Sequence, residues 1–211
     1  MAAPQLGSDA PIREFMTALA SAESTQGAVS AAAVAGAMGA SLLLMIASLP
    51  TTRSDSVDQR KALLRAGAAL ADLQEQLIET IEGETLVKLL AARNMPQASQ
   101  AERSKREAAI QLALRSAADV PLEIIRLSAL GLQHAKMVAA SCTRAAGSEV
   151  ELAVALLRVA LTGARSNLEA RLSSLIDVVY TRAVVEEIAH LNDEATAAAR
   201  AAELLVQRPP A

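Results

Sequence analysis

Apolar residues recur along most of this chain at spacings of three and four, the period of an amphipathic helix and not of a strand. Leu63, Leu70, Leu73, Leu77 and Ile81 mark one such face; it begins among Ser54, Asp55 and Ser56, and the pattern can run on past Gly83 to Arg93. A shorter helix is predicted to start near Ser8 or Asp9, with Pro11 in its first turn, and to carry Ile12, Phe15, Met16 and Leu19. Asn94-Met95-Pro96 breaks the chain, and Ser99, placed three residues before Glu102, reads as a capping box. The helix it opens carries Ile110, Leu114 and Ala117 and then meets Pro121, whose missing N–H and bulky ring predict a kink or an interruption. Residues 122–140 resume the pattern, and Gly147 is expected to stop it. Ser148-Glu149-Val150-Glu151 then offers a second capping box, before a helical stretch towards Val206 that needs a joint, at Gly163 or near His190-Leu191-Asn192-Asp193. Residues 1–7 and 207–211 read as disordered ends of a single domain spanning 1–211.

One segment departs from the amphipathic pattern: between Glu23 and Arg53 no residue carries a charge. That length admits a transmembrane helix. Its first half, however, is almost entirely Ala, Gly and Ser, which gain little on transfer to lipid. A helix that is small and apolar all round is also what a globular protein places at its centre, where small side chains let neighbouring axes approach closely. A buried central helix in a soluble protein is the reading favoured here, with no membrane partner.

Composition sharpens the fold class. Apolar residues make up 52% of the 211, yet Phe15 and Tyr180 are the only aromatics and Trp is absent. The apolar content is thus mainly Ala, Leu, Val and Ile. Ala and Leu favour helix, so the chain is predicted to be all-α, a multihelical bundle around the Ala/Gly-rich segment and dimeric. A net charge of −3 from interspersed acids and bases, with almost no aromatics for base stacking, argues against nucleic acid. The single Cys142 cannot form an intramolecular disulfide and stands in no zinc or redox spacing, which suits a reducing cytoplasm. The N-terminus lacks the basic start and apolar core of a signal peptide.

The residues alone do not name a reaction. His134 and His190 lie on separate helices with no triad-like arrangement, and each reads as an ordinary surface or packed histidine. Cys142 reads as buried and inert. Arg60, Lys61, Arg65, Arg103, Lys105 and Arg106 read as solvated helix faces, and Gly36 and Gly39 as packing positions inside a helix instead of a phosphate loop. Glu79, Glu82 and Glu84 gather near Gly83, where carboxylates can handle protons, although a solvated helix face explains the spacing better. No metal site is expected.

Three ordered segments carry a resemblance. They are Ser30-Ala31-Ala32-Ala33-Val34-Ala35-Gly36-Ala37-Met38-Gly39-Ala40 with Met45-Ile46-Ala47, then Ala117-Ala118-Asp119-Val120-Pro121-Leu122, then Ala160-Leu161-Thr162-Gly163-Ala164-Arg165-Ser166-Asn167. In these the chain resembles the cyclodeaminase/cyclohydrolase family, which comprises the C-terminal domain of formiminotransferase-cyclodeaminase and stand-alone methenyltetrahydrofolate cyclohydrolases. The resemblance implies a helical homodimer with a folate pocket, a tetrahydrofolate derivative as substrate and no prosthetic group. It implies hydrolysis of 5,10-methenyltetrahydrofolate to 10-formyltetrahydrofolate, or less favourably cyclodeamination of a formimino-folate.

Carried over by position, the resemblance makes Glu82 the candidate base or cation partner. Gly27, Ser30, Ser48, Glu149, Asn167 and Arg171 become the candidate substrate contacts. The polar positions depart from the family pattern nearly throughout. A Gly-Gly-Gly-Ser turn becomes Gly27-Ala28-Val29-Ser30, an Asn becomes Ser48, and a Lys-rich loop shrinks to Pro50-Thr51-Thr52-Arg53. The family's two Asp residues become Glu82 and Glu149, and a pair of Asn positions becomes Asn167 and Arg171. One extra methylene displaces a carboxylate by roughly 1 Å, enough to cost about a hundredfold in a geometry-dependent step. A non-catalytic paralogue acting as a dimeric binding or scaffold subunit is therefore the rival reading, and apolar filling of the pocket by Val29 and Leu86 would favour it.

Overall fold

The Ala, Gly and Ser residues of the uncharged segment form a 22-residue helix, α2 (Gly27–Ser48), that neighbouring helices approach almost to backbone contact. The structure, a computed structural model, describes residues 11–21, 27–49, 57–81 and 84–207. Against α2 lie α3 (Val57–Glu79) and α6 (Gly147–Leu172). A Cβ built on Gly39 would lie 2.9 Å from both the Ala153 carbonyl oxygen and Leu157 Cγ, and one on Gly36 would lie 3.1 Å from Leu77 Cδ1 and 3.2 Å from Ala160 Cβ. Bulkier residues would hold the axes apart, so it is side-chain absence that creates this core. Leu43 and Ile46 of α2, Leu70, Leu73 and Leu77 of α3, and Leu157 and Leu168 of α6 are all fully buried.

The remaining elements are α1 (Ile12–Leu19), α4 (Glu84–Arg93), the 42-residue α5 (Gln100–Ser141) and α7 (Val178–Val206), with a 3-10 turn at Arg144–Ala146. No strand occurs among the described residues. The contacts fix the directions. Gly36 meets Ala160 and Gly39 meets Leu157, so α2 and α6 run antiparallel; Gly36 with Leu77 and Gly67 with Ala47 make α2 and α3 antiparallel too. Asp119 with Tyr180, Arg126 with Glu187 and Gln133 with Glu194 are all 61 residues apart, so α5 and α7 run parallel in constant register. Arg126 anchors this seam by giving Glu187 two bonds, of 2.6 and 3.0 Å, and Glu123 one of 3.2 Å.

Several local readings hold. Ser99 and Glu102 form both bonds of the capping box, 3.2 Å to Ser99 Oγ and 2.8 Å to the Glu102 carboxylate. That bond holds the Glu102 carboxyl below its ordinary pKa. Asn94-Met95-Pro96 does separate two helices.

Others are corrected. The segment after Ile81 is not one helix with α3, since α3 ends at Glu79 and α4 begins at Glu84. Pro121 lies buried inside α5, which continues through it. Gly147 opens α6 instead of stopping a helix: its backbone is helical, and a Cβ there would sit 2.6 Å from Val206 Cγ1, so glycine lets the end of α7 close over it. The cap position of α6 is Ala146, whose methyl group cannot accept a bond; Ser148 lies inside the helix and donates its hydroxyl to Glu149. The joint in the last long stretch falls at residues 173–177, not at Gly163, which packs on Ala32, nor at 190–193, which lie within α7. Asp177 caps α7 by accepting from the Tyr180 amide at 2.9 Å. The proposed starts at Ser8 or Asp9 and at Ser54–Ser56, and the terminal residues 1–7 and 208–211, lie outside the described residues.

Gly67 separates packing glycines from dispensable ones. A Cβ there would be 3.9 Å from Ala47 Cβ, an ordinary contact, inside the body of α3. Gly67→Ala should therefore stabilise the protein by roughly 0.5–1 kcal/mol through helix propensity and a less flexible unfolded chain. Urea denaturation checks this; a lowered midpoint would mean that α2 and α3 pack more closely than these contacts show.

Candidate functional site

The antiparallel registers sort the candidate site residues into two groups. Ala32 faces Gly163, so one further turn back along α2 brings Gly27 and Ser30 to the level of Asn167 on α6. The pairing of Gly36 with Leu77 carries the end of α3, at the buried Ile81, to the level of Ala32 and Gly163, one turn short of Asn167. Glu82 itself lies outside the described residues, immediately after Ile81. Ser48 and Glu149 belong to the opposite end, where α2 finishes and α6 starts. Ser30 and Ser48 are about 27 Å apart along α2 at 1.5 Å of rise per residue. Gly27, Ser30, Asn167 and Arg171 thus share one end within a single chain, and Ser48 and Glu149 do not join them.

At the first end Ser30 is only 2% exposed and faces protein. Asn167 and Arg171 are half-buried one turn apart on α6, and Arg171 Nε donates to Asn167 Oδ1 at 3.3 Å. Arg171 Nη1 also donates to the carbonyl of Ala117 on α5. That carbonyl would bond to the amide of residue 121 in an unbroken helix, but residue 121 is proline and has no N–H. Burial pushes the Arg171 pKa down from its ordinary value, yet a guanidinium stays charged at any physiological pH. Val29, beside Ser30, is 6% exposed and belongs to the core; the side chain of Leu86 lies outside the described ones.

A second network ties the same level of α5 to the joint before α7, and the sequence reading did not anticipate it. Tyr180 donates its hydroxyl to Asp119 Oδ1 at 2.9 Å, and the Arg115 guanidinium stacks 4.4 Å from the Tyr180 ring centre while pairing with Asp177 at 3.3 Å. Burial, followed by the Asp119 contact, pushes the Tyr180 hydroxyl up to about 12, so it remains a neutral donor. Gln111 bonds both the Ser174 carbonyl and the Ile176 amide. Nothing in local spacing announces these pairs, because each joins residues more than sixty positions apart.

At the other end the Ser48 hydroxyl donates to the Leu44 carbonyl at 2.9 Å on an exposed position. Glu149 is half-buried and accepts from Ser148. A cavity of about 140 Å³ opens between α5, α6 and α7, lined by Leu132, Arg158, Thr162, Asn192 and Thr196 among others, and none of the candidate residues reaches it. Its only cation, Arg158, is paired with Glu203 at 2.9 Å.

The remaining candidates stay unremarkable. His190 is exposed, 3.4 Å from Glu194, whereas burial pushes the His134 imidazole pKa down and keeps it neutral. Burial likewise pushes the half-buried Cys142 thiol up, away from a reactive thiolate. No cluster of metal-binding side chains occurs among the described residues.

Comparison with known proteins follows the same outline. The sequence model of the formiminotransferase-cyclodeaminase family matches residues 11–190. A methenyltetrahydrofolate cyclohydrolase of Methylorubrum extorquens is 29% identical over 190 residues, covering 88% of this chain and 90% of that protein. The formimidoyltransferase-cyclodeaminase of Sus scrofa is 28% identical over 88% of this chain but only 35% of its own length. The crystal structure of a formiminotetrahydrofolate cyclodeaminase from Thermotoga maritima superposes with a TM-score of 0.82, at 19% identity, over 94% of this chain and 96% of that one, which shows the fold.

Proposed function

Because the chain belongs to the formiminotransferase-cyclodeaminase family, we propose that it is a folate-dependent one-carbon enzyme that hydrolyses 5,10-methenyltetrahydrofolate to 10-formyltetrahydrofolate. Its 29% identity to a cyclohydrolase over nearly the whole of both chains supports this activity; a cyclodeaminase of similar length shares the fold at 19% identity. What supports the site is that Ser30 of α2 and the bonded pair Asn167 and Arg171 of α6 lie towards the same end of the bundle.

The substrate's bridging carbon belongs to an amidinium cation. Water attacks that carbon, and the adduct collapses by breaking one C–N bond, with one proton released. Glu82 would draw the cation in and accept the water's proton, while N–H and O–H donors hold the emerging oxygen. Loss of the methenyl-folate absorbance, after subtraction of hydrolysis in buffer, tests the proposal. Burial of Val29 is the observation that favours the rival scaffold reading. A protein that neither hydrolyses the compound nor binds folates in titration would establish it.

The proposal includes a homodimer, soluble in the cytoplasm, with neither membrane nor nucleic acid as partner. Among the described residues α2 is the one helix long and apolar enough to cross a membrane, and 56% of its most apolar window is already buried within the monomer. Its outward side carries Met38, 51% exposed, and Met45, 45% exposed, and the adjacent α6 adds exposed Leu152 and Val159. A second copy covering this uncharged face across a two-fold axis perpendicular to α2 would run α2 against its mate in the opposite direction. The end holding Ser48 and Glu149 would then approach the partner's end holding Ser30 and Asn167, which is how two groups 27 Å apart could serve one ligand (about 1.5 Å of rise per residue). Sedimentation should give a dimer at micromolar concentration and a monomer for Met38→Glu/Met45→Glu. A monomeric wild type, or one extracted only by detergent, would refute this arrangement.

A further inference from the structure

We propose that Arg171 is a positioning residue of the folate site: it replaces the amide hydrogen that Pro121 lacks and thereby aims Asn167 as a hydrogen-bond donor towards an oxygen of the ligand. The inference rests on the folate reading for its ligand, but its structural half stands apart from it.

The first half follows from the backbone. Proline at position 121 leaves the Ala117 carbonyl without its in-helix donor at a point where α5 is buried, and an unsatisfied buried acceptor is costly. Arg171 Nη1 reaches across from α6 to supply that bond. Proline and arginine therefore act as one unit, locking α5 to α6 at the level of the candidate site.

The second half follows from the chemistry of the guanidinium, which can only donate. Asn167 must turn Oδ1 towards Arg171 Nε, 3.3 Å away, which leaves its NH2 group directed elsewhere. An asparagine free to flip presents either an acceptor or a donor; this one presents a donor. Such a group suits a carbonyl, a carboxylate or the oxygen that emerges as water adds, and it discriminates against a ligand N–H. Two of the five N–H donors of the arginine are thus committed inside the protein.

A double-mutant cycle reads the first half without any folate. Arg171→Met should lower the folding equilibrium constant by roughly 10- to 100-fold in urea denaturation, the cost of stranding a buried carbonyl. In a Pro121→Ala background, where the restored amide satisfies Ala117, the same substitution should cost no more than a few-fold. Equal losses in both backgrounds would overturn the clamp. If Pro121→Ala does not fold, Arg171→Lys serves: one ammonium can bond the carbonyl but no longer holds both partners.

Arg171→Lys should keep stability within a few-fold of wild type yet weaken binding of 5-formyltetrahydrofolate, the probe used. Asn167→Ala should then cost markedly less affinity in the Arg171→Lys background than in wild type. Unchanged affinity in Arg171→Lys would overturn the aiming role, while failure of wild type to bind the probe would overturn the folate reading and leave the denaturation cycle intact as a test of the clamp.

Discussion

Glu82→Gln is expected to slow methenyl-folate hydrolysis by roughly 100- to 10,000-fold, the range associated with losing a general acid or base. The amide is close in size to the carboxylate, so the fold and much of the binding should survive, whereas the base and the negative charge opposite the substrate cation are both removed. Glu82→Asp restores the residue type the family resemblance implies and shortens the reach by one methylene. If reach alone limits a weak wild-type activity, this variant should be faster. Stopped-flow absorbance separates the outcomes. An active wild type unaffected by Glu82→Gln would place the chemistry on another group, and inactivity of both wild type and Glu82→Asp would favour the scaffold reading.

Gly39→Val should be among the most damaging single changes in the bundle. The first added carbon would meet Ala153 O and Leu157 Cγ at 2.9 Å, and the Leu157 amide nitrogen at 3.3 Å. Two of those three atoms are backbone, so relief requires α6 to move away from α2 along a seam that is buried on both sides. Overpacking of this kind costs about 1–3 kcal/mol, occasionally more, and contact with backbone puts Gly39→Val at the upper end. Gly36→Ala is the informative contrast, since its nearest atoms, Leu77 Cδ1 at 3.1 Å and Ala160 Cβ at 3.2 Å, belong to side chains and lie further off than those at Gly39. Urea midpoints at constant m-value would rank the two. A Gly39→Val protein as stable as wild type would show that α2 and α6 are further apart than these distances state.

Local chemistry was legible before any tertiary information. Ser99 and Glu102 cap the helix that follows them because a capping box needs only four consecutive residues, and the leucine spacing of α3 identifies its buried face without reference to a partner. The capping box expected at Ser148 failed because the helix starts two residues earlier, where a 3-10 turn delivers the chain, leaving the hydroxyl free to bond Glu149. The joint at residues 173–177 was hidden for a related reason. It contains no Gly or Pro, and its ties to α5, Gln111 to Ser174 and Ile176 and Arg115 to Asp177, form only once the helices are assembled.

The candidate site divides in the same way. Its residue types, the uncharged segment and the all-helical class were set by the sequence itself, because helix propensity, charge and spacing are local properties. Tertiary structure alone decided that Ser30, Asn167 and Arg171 lie towards one end while Ser48 and Glu149 lie at the other, since that depends on the antiparallel register of α2 and α6. It also decided what Arg171 does. Read along the chain, Pro121 predicts a kink or an interruption, and the family resemblance makes Arg171 a ligand contact; in the folded protein the arginine bonds the Ala117 carbonyl that the proline leaves without a donor, across 54 residues of sequence. A hydrogen-bond deficit in one helix and a donor on another become a single feature only when packing brings them together.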